Sequence, residues 1–272
     1  MMNLVSFNAE ISTRLEEMRS QQRPLNLVWP EGCYGSARSI LVFVGPSPGG
    51  SPLIECGTWQ RNPSDGLALW NETFSEPFDD SRDRWGGKYV YSIPIFLETI
   101  IGVSLQHGAK LYAFANFDWI QCPREVNVST ERMKSGEREV LHVLSSCKPL
   151  VIVPLTRGAA SRLRNLLEKN YNVVSPHRCD VLIDIGKSRR FHRDLEVYQL
   201  KGSGVLNGAV VIRSPQHPNR VLNREHAMRC AKAIRHAFMQ MLEGRDTITI
   251  QEVDAPPSQP VETVLPQFRG HP

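Results

Sequence analysis

Short apolar runs, each ended by glycine, proline or polar residues, organise this chain. Residues 40–44, Ile-Leu-Val-Phe-Val, lead directly into Gly-Pro-Ser-Pro-Gly-Gly. An uninterrupted apolar run of strand length that stops at glycine and proline is typical of a strand buried on both faces of a sheet. Similar runs predict further strands at residues 110–116, 150–155, 171–174 and 208–212.

Segments with helical spacing of apolar residues separate these strands. Residues 8–19 place Ile11, Leu15 and Met18 on one face, which predicts an amphipathic helix. Asn223 is a suitable N-cap for a last helix that ends near residue 243. Residues 181–200 combine possible edge strands with a basic run. Other helices are predicted at residues 93–101, 137–146 and 158–169.

Alternation of strands and helices predicts an α/β fold with three layers, α/β/α. The central sheet is expected to be mostly parallel and to contain four or five strands. We expect one domain over residues 1–245. Residues 246–272 contain five prolines and are predicted to be a surface or disordered tail.

Composition narrows the class of protein only slightly. The chain is 41% hydrophobic and 22% charged, as in ordinary globular proteins, and its net charge of +4 permits nucleic-acid binding without requiring it. No apolar stretch approaches the ~20 residues that span a bilayer, and the first residues lack the pattern of a signal peptide. We therefore expect a soluble cytoplasmic monomer that does not contact membranes.

The cysteines argue against a metal site. None of the six forms a Cys-x-x-Cys pair, the spacing typical of zinc ribbons and fingers. In a cytoplasmic protein they are expected to be reduced thiols, several of them buried. We expect neither a metal nor another cofactor. The cysteines are Cys33, Cys56, Cys122, Cys147, Cys179 and Cys230.

Polar loops follow three of the predicted strands, at residues 45–50, 116–123 and 213–220. Because the carboxyl ends of parallel strands lie at one edge of a sheet, these loops are expected to meet where α/β proteins usually bind ligands. Glycine allows the backbone to approach a ligand closely, and Pro46 and Pro48 restrict the shape of the first loop. The sequence therefore predicts a binding site at this edge.

In this order, the loops resemble the motifs of the uracil-DNA glycosylase superfamily. Residues 45–49, Gly-Pro-Ser-Pro-Gly, are similar to its Gly-x-x-Pro-Gly motif. Asn116 ends the second strand, as an asparagine often does in the family, and a Cys-Pro pair follows at residues 122–123. His217-Pro218-Asn219 is similar to the His-Pro-Ser motif except at its last residue. The resemblance spans about residues 36–240.

The resemblance implies an enzyme that binds DNA, turns a base out of the helix and hydrolyses its N-glycosidic bond without a cofactor. His217 would donate a hydrogen bond to the leaving base, and the Asn116 amide would read the base edge. The backbone of Gly45, Pro46, Ser47, Pro48 and Gly49 would shape the pocket. The DNA contacts would come from the last loop, at Arg213, Ser214, Asn219 and Arg220.

Three positions are candidates for activating the water. Ser47 occupies a position that is Asp or Asn in several branches of the family, and a serine is a poor base at neutral pH. Residues 78–80, Phe-Asp-Asp, resemble a segment that supplies the carboxylate in one branch, so that Asp80 or Asp79 would act while Phe78 stacks on the base. Asp118, two residues after Asn116, is the third candidate.

Departures from the family bear on the substrate. Ser47 and the long segment between residues 49 and 78 favour a modified pyrimidine, such as a hypermodified phage base, over plain uracil, and suggest a role in antiviral defence. The N-terminal cysteine pair of the iron–sulfur branches is missing, so no cluster is expected. The alternatives are a conventional uracil-excision repair enzyme, a non-catalytic nucleic-acid-binding module on the same fold, and, more remotely, a phosphate-binding α/β enzyme.

Overall fold

The computed structural model describes residues 3–20, 33–35, 39–47, 89–103, 111–118, 128–174, 177–184, 190–245, 248 and 250. Within these ranges the helices are α1 (Leu4–Ser20), α2 (Tyr89–Ile101), α3 (Thr130–Ser135), α4 (Glu137–Cys147), α5 (Arg157–Leu167) and α6 (Arg224–Leu242), with a 3-10 helix at Pro218–Arg220. The strands are β1 (Tyr34–Gly35), β2 (Leu41–Gly45), β3 (Tyr112–Asn116), β4 (Val151–Pro154), β5 (Asn172–Val173), β6 (His177–Asp184), β7 (Arg190–Lys201) and β8 (Val210–Ile212).

The described strands form one mixed sheet in the order β1-β3-β2-β4-β8-β7-β5, with β6 also paired to β7. Its four central strands, β3, β2, β4 and β8, are mutually parallel. Antiparallel strands extend it on both sides. The α/β class and the parallel centre are confirmed, but the sheet is wider than the four or five strands predicted, mainly because β6 and β7 form a long hairpin.

Alternate residues of the strands enter two separate cores. Leu41 and Phe43 of β2 face α1, α2 and α6, whereas Val42 and Val44 face α4 and α5. All four side chains are fully buried. Burial on both faces explains why this strand is a continuous apolar run rather than an alternating one. The three-layer α/β/α arrangement is therefore confirmed.

Side-chain hydrogen bonds fix the ends of several helices. The Asn223 side chain accepts a hydrogen bond from the His226 backbone N–H at 2.8 Å, so the predicted N-cap of α6 is confirmed. Thr156 caps α5 in the same way, accepting from the Ala159 N–H at 3.1 Å. At the edge of the sheet where β2 and β4 begin, the Arg14 guanidinium donates to the carbonyls of Ser39, Cys147 and Lys148. These hydrogen bonds tie α1 to the central layer.

The packed region continues past the predicted domain boundary at residue 245. Ile248 and Ile250 are each only 4% exposed and belong to the core beneath α1, α2 and α6. Ile248 and Ile250, which were predicted to belong to the proline-rich tail, are thus packed in the domain core. Among the helices described, none has the length and apolar character needed to cross a bilayer.

Candidate active site

The chain changes direction across the sheet between β2 and β4. The connection after β2 leads through α2, on one face, to the neighbouring strand β3. The connection after β4 leads through α5, on the other face, towards β7 and β8 on the opposite side. The carboxyl ends of β2 and β4 are therefore a topological switch point, the place where open α/β sheets bind ligands.

Backbone hydrogen bonds continue past the strand ends at this edge. The Phe117 N–H donates to the Gly45 carbonyl at 3.1 Å, and the Leu155 N–H donates to the Val44 carbonyl at 2.9 Å. The Ser214 N–H donates to the Pro154 carbonyl at 2.9 Å. The first residues of the loops after β3, β4 and β8 are thus held to neighbouring strands, which fixes where each loop begins.

Gly45 and Asn116 are directly paired at the ends of β2 and β3. Asn116 is only 4% exposed, and its side-chain oxygen lies so close to Gly45 that a Cβ at residue 45 would overlap it. A glycine is therefore needed for the asparagine amide to pack flat against the β2 backbone. The structure brings together these two residues, as the sequence predicted.

Replacing Gly45 by alanine is expected to displace the Asn116 amide from its present position. Because the amide is then misplaced, the affinity for a ligand at this edge should fall by about tenfold or more. The matched control is Gly204→Ala, since a Cβ there would overlap the Tyr171 side chain at the opposite edge of the sheet. Binding titrations of both variants against wild type make the measurement. Equal loss in the two variants would contradict a specific role for Gly45.

Cys33 lies next to the Asn116 backbone, and its thiol is unreactive. Burial raises the pKa of its thiol to about 12, although the Asn116 backbone hydrogen bond acts in the opposite direction. A thiol with so high a pKa is neither a nucleophile nor a metal ligand at neutral pH. The other described cysteines, Cys147, Cys179 and Cys230, are also buried thiols outside any disulfide. Within the described residues, no cluster of three His, Cys, Asp or Glu side chains is suited to a metal ion.

His217 lies on the loop after β8, at the same edge as Gly45 and Asn116. Burial lowers the pKa of its imidazole to about 4, and the nearby charge of Arg220 acts in the same direction. The ring is therefore neutral at pH 7, and one of its nitrogens can donate a hydrogen bond. Its carbonyl accepts from the Arg220 N–H at 2.8 Å, which closes a tight turn. Two strands, β2 and β4, separate β8 from β3, a spacing of roughly 14 Å.

The neutral imidazole makes stability depend on pH. The pKa of His217 is about 4 in the folded protein and near 6.5 in the unfolded chain, so the unfolded chain binds more protons between these values. Stability should consequently fall as the pH drops from 6.5 towards 4. Between pH 7 and pH 5, the free energy of unfolding of the wild-type protein should fall by on the order of 1–2 kcal/mol more than that of His217→Gln. Urea unfolding of both proteins at the two pH values measures the difference, and parallel pH profiles would contradict it.

Asp118 is held by a partner within the protein. Its carboxylate is 3% exposed and forms an ion pair with Arg132 of α3. The neighbouring Phe117 carbonyl lies so close to Gly136, at the junction of α3 and α4, that a Cβ at residue 136 would overlap it. These contacts anchor residues 116–118 to the α3–α4 layer. They favour a structural role for Asp118 over the water-activating role considered from the sequence.

The loop after β8 differs from its predicted use in DNA binding. Arg213 and Ser214 are buried, at 7% and 3% exposure. The Arg213 guanidinium bonds to Asp194 at 2.5 Å, and the Ser214 hydroxyl donates to the Gln216 carbonyl at 2.6 Å. Because their polar atoms are turned into the protein, both residues shape the loop, and their burial disfavours the predicted contact with DNA. Arg220 is exposed, as a DNA contact requires.

Several predicted site residues lie at or beyond the limits of the described chain. Pro46 is buried and Ser47 is half-buried directly after β2. The backbone of Asn219 lies in the 3-10 helix. The remaining predicted residues, Pro48, Gly49, Phe78, Asp79 and Asp80, lie outside the described residues, and their roles stay predictions.

Leu222 is a surface feature that the motifs did not indicate. It follows the 3-10 helix and is 41% exposed, although it is a large apolar side chain. Its backbone N–H donates to the buried His226 imidazole at 3.1 Å, which fixes its position. In the sequence Leu222 follows Val221, which is buried, so the pattern gives no sign that Leu222 is exposed.

A groove of about 630 Å³ lies at the opposite edge of the sheet, lined in part by Arg14, Lys148, Gln199 and Lys201. Three donors of Arg14 bond to backbone carbonyls, and Gln199 donates to the Gly208 carbonyl at 3.1 Å. These polar groups serve the fold, so the groove is a weaker candidate than the switch point.

Comparison of the chain with protein-family models and with curated proteins found no match. The case for a function therefore depends on the residues themselves.

Proposed function

We propose that this protein is a DNA glycosylase that hydrolyses the N-glycosidic bond of a non-standard base. One observation carries the proposal: the Asn116 amide, at the end of β3 and packed against Gly45, and a neutral His217, on the loop after β8, lie at the same edge of the sheet, on the two sides of its switch point. These are the residue types that a flipped base needs, an amide to read its edge and a donor to receive its negative charge.

The neutral imidazole suits the chemistry of the leaving base. When the bond between the sugar and the base breaks, the electron pair goes to the base and positive charge develops on the sugar, as in glycoside hydrolysis in general. A hydrogen bond from His217 to a carbonyl oxygen of the base stabilises the developing anion. Water then bonds to the sugar carbon and loses a proton, and the departing base is finally protonated from solvent. Each step balances without a cofactor.

The carboxylate that orients water is assigned to Asp80 or Asp79. Asp118 is less suitable because Arg132 already neutralises its charge in a buried ion pair. Ser47 is half-buried beside Gly45 and can hold water through its hydroxyl, but it cannot accept a proton readily at neutral pH. Asp79 and Asp80 therefore remain the two candidates for this role.

The proposed substrate is a modified pyrimidine in DNA, with excision of hypermodified phage bases as the biological role. Ser47 stands where several branches of the family have Asp or Asn, so it lacks the side chain that handles the water in those branches. The 31 residues from 48 to 78 are long enough to border a bulky base. A conventional uracil-excision enzyme is the alternative with the same chemistry.

The test is base release from defined DNA. Single- and double-stranded oligonucleotides carrying uracil, 5-hydroxymethylcytosine or glucosylated 5-hydroxymethylcytosine are incubated with the protein, treated with alkali to cleave abasic sites, and analysed by mass spectrometry for the free base. Release of a modified base supports the proposal in full. Release of uracil alone keeps the activity and overturns the substrate. Tight DNA binding without release of any base favours the non-catalytic binding module, for which Ser47 is the supporting observation.

A further inference from the structure

Strand β7 extends well past the edge of the sheet at which the candidate site lies. Val197 of β7 pairs with Ile212, the last residue of β8, so the seven residues 190–196 continue beyond the end of β8. At about 3.3 Å per residue this extension is roughly 23 Å long. It is stiffened by pairing with β6 and by the buried side chains of Val181, Ile183 and Leu195. A rigid strand therefore stands beside the loop that carries His217.

Asp194 joins this strand to the first residue of the loop. Nη2 of Arg213 lies 2.5 Å from Oδ2 of Asp194 and 2.5 Å from its backbone carbonyl. The Arg213 backbone N–H donates to the Glu196 carbonyl at 2.9 Å. Nη2 of Arg157, at the start of α5, donates to Oδ1 of Asp194 at 2.8 Å. Asp194 thus holds together the hairpin, α5 and the loop.

The charges at this junction depend on one another. Burial lowers the pKa of the Arg213 guanidinium, and the Asp194 carboxylate opposes that effect. Burial alone would raise the pKa of Asp194, but the Arg157 hydrogen bond and the Arg213 charge outweigh it, so the net shift is downward. Removing the carboxylate leaves a buried cation without its counter-charge, an arrangement that drives local rearrangement.

A second tie holds the loop at Gln216, immediately before His217. Nε of Arg193 donates to the Gln216 side chain at 3.3 Å, and the Gln216 amide donates to the Arg220 carbonyl at 3.3 Å. The Ser214 hydroxyl bonds to the Gln216 carbonyl. Adjacent residues of β7 therefore hold the loop both at its start and immediately before the histidine.

We propose that Asp194 is a positioning residue, which acts through Arg213 to hold the loop of His217 in its productive place. The inference rests on the proposed function for its effect on catalysis, and on geometry alone for its effect on His217. A donor to a leaving group must be placed to within a fraction of an ångström, so a small shift of the loop costs rate more than it costs DNA binding.

The kinetic test compares Asp194→Asn with Glu196→Gln. Glu196 lies two residues along β7, and its side chain pairs with Arg164 of α5 at 3.2 Å, whereas the Arg213 side chain bonds to Asp194. Asp194→Asn should lower the single-turnover rate of base release 10- to 100-fold and change DNA affinity by less than about threefold. Glu196→Gln should change both by less than about twofold. Combining Asp194→Asn with Arg213→Gln should add little further loss, because the two side chains act as one unit.

The second readout does not require activity. The imidazole ¹⁵N resonances of His217, assigned with His217→Gln, are followed by NMR during a pH titration. In Asp194→Asn the pKa of His217 should rise towards 6.5 as the ring becomes more exposed, whereas Glu196→Gln should match wild type. If Asp194→Asn does not fold, Asp194→Glu, which keeps the charge but lengthens the side chain, should show a smaller shift of the same sign.

The outcomes are separable. Unchanged His217 resonances in a folded Asp194→Asn protein would overturn the positioning role whatever the kinetics show. If Asp194→Asn alters the titration of His217 but the wild-type protein releases no base, the proposed function is overturned and Asp194 remains the residue that orients His217. Equal rate losses in Asp194→Asn and Glu196→Gln would identify a general effect on the hairpin and reject the inference.

Discussion

Replacing His217 by alanine should lower the single-turnover rate of base release by on the order of 10²–10³ while changing DNA affinity by less than about threefold. The reason is that a donor aimed at a developing anion acts mainly in the transition state, and removing such a donor in comparable sites costs about 3–4 kcal/mol. The neutral state of the imidazole also predicts a flat rate between about pH 5.5 and pH 8. Its pKa of about 4 places the titration below that range. The measurement is the rate of abasic-site formation with enzyme in excess.

The matched control is His142→Ala, because His142 is an exposed residue of α4. It should retain the wild-type rate. His217→Gln keeps a neutral donor and should recover part of the loss if its amide can reach the leaving base. A rate that is unchanged in His217→Ala, or a pH profile with a midpoint near 6.5 that disappears in this variant, would reject the assignment of a neutral donor.

Replacing Asn116 by aspartate should lower kcat/KM for the preferred base by roughly 10- to 150-fold. The two side chains have nearly the same shape, so the aspartate still fits against Gly45. It loses the amide donor, however, and leaves an acceptor of the base without a partner, which costs about 1–3 kcal/mol when the group is desolvated. Because the position is 4% exposed, the new carboxylate also carries a desolvation cost.

Selectivity distinguishes base reading from general damage. Competition between two modified pyrimidines should show that Asn116→Asp changes their ratio of kcat/KM, since specificity is a difference in transition-state binding. Asn165→Asp, on an exposed position of α5, is the matched control and should alter neither rate nor ratio. A uniform loss for every base, together with a lowered midpoint of thermal unfolding, would indicate that Asn116 serves the fold alone.

The central strands were predictable because their environment is simple. β2, β3 and β4 are buried on both faces, and each appears in the sequence as an apolar run that lies within two residues of its observed bounds. Residues 181–200 were predicted only as possible edge strands beside a basic run, although Val181, Ile183, Leu195 and Val197 occupy alternate positions of two strands and are all fully buried. The basic run between them obscured that period of two. β1 has two residues and gives no periodic signal.

The site was predictable where topology alone determines it. Parallel strands bring their carboxyl ends to one edge, which predicts the pairing of Gly45 with Asn116 and the position of His217 at the same edge. Sheet topology does not determine which partners surround the charged residues. Arg213 is buried because Asp194 lies beside it on β7, and Asp118 is paired because α3 presents Arg132. Both partners depend on tertiary packing, so a motif that gives residue types in order cannot reveal whether their charges are already satisfied.

The backbone bonds that join Phe117 to Gly45, Leu155 to Val44 and Ser214 to Pro154 have an evolutionary consequence. Almost any amino acid supplies a main-chain amide and carbonyl, so these backbone hydrogen bonds survive mutation of the side chains around them. The side chains at this edge of the sheet can therefore change, and new selectivities can arise, while the strands keep their register. In a descendant of this protein, the backbone arrangement at the strand ends would remain recognisable long after the amino-acid sequence had diverged.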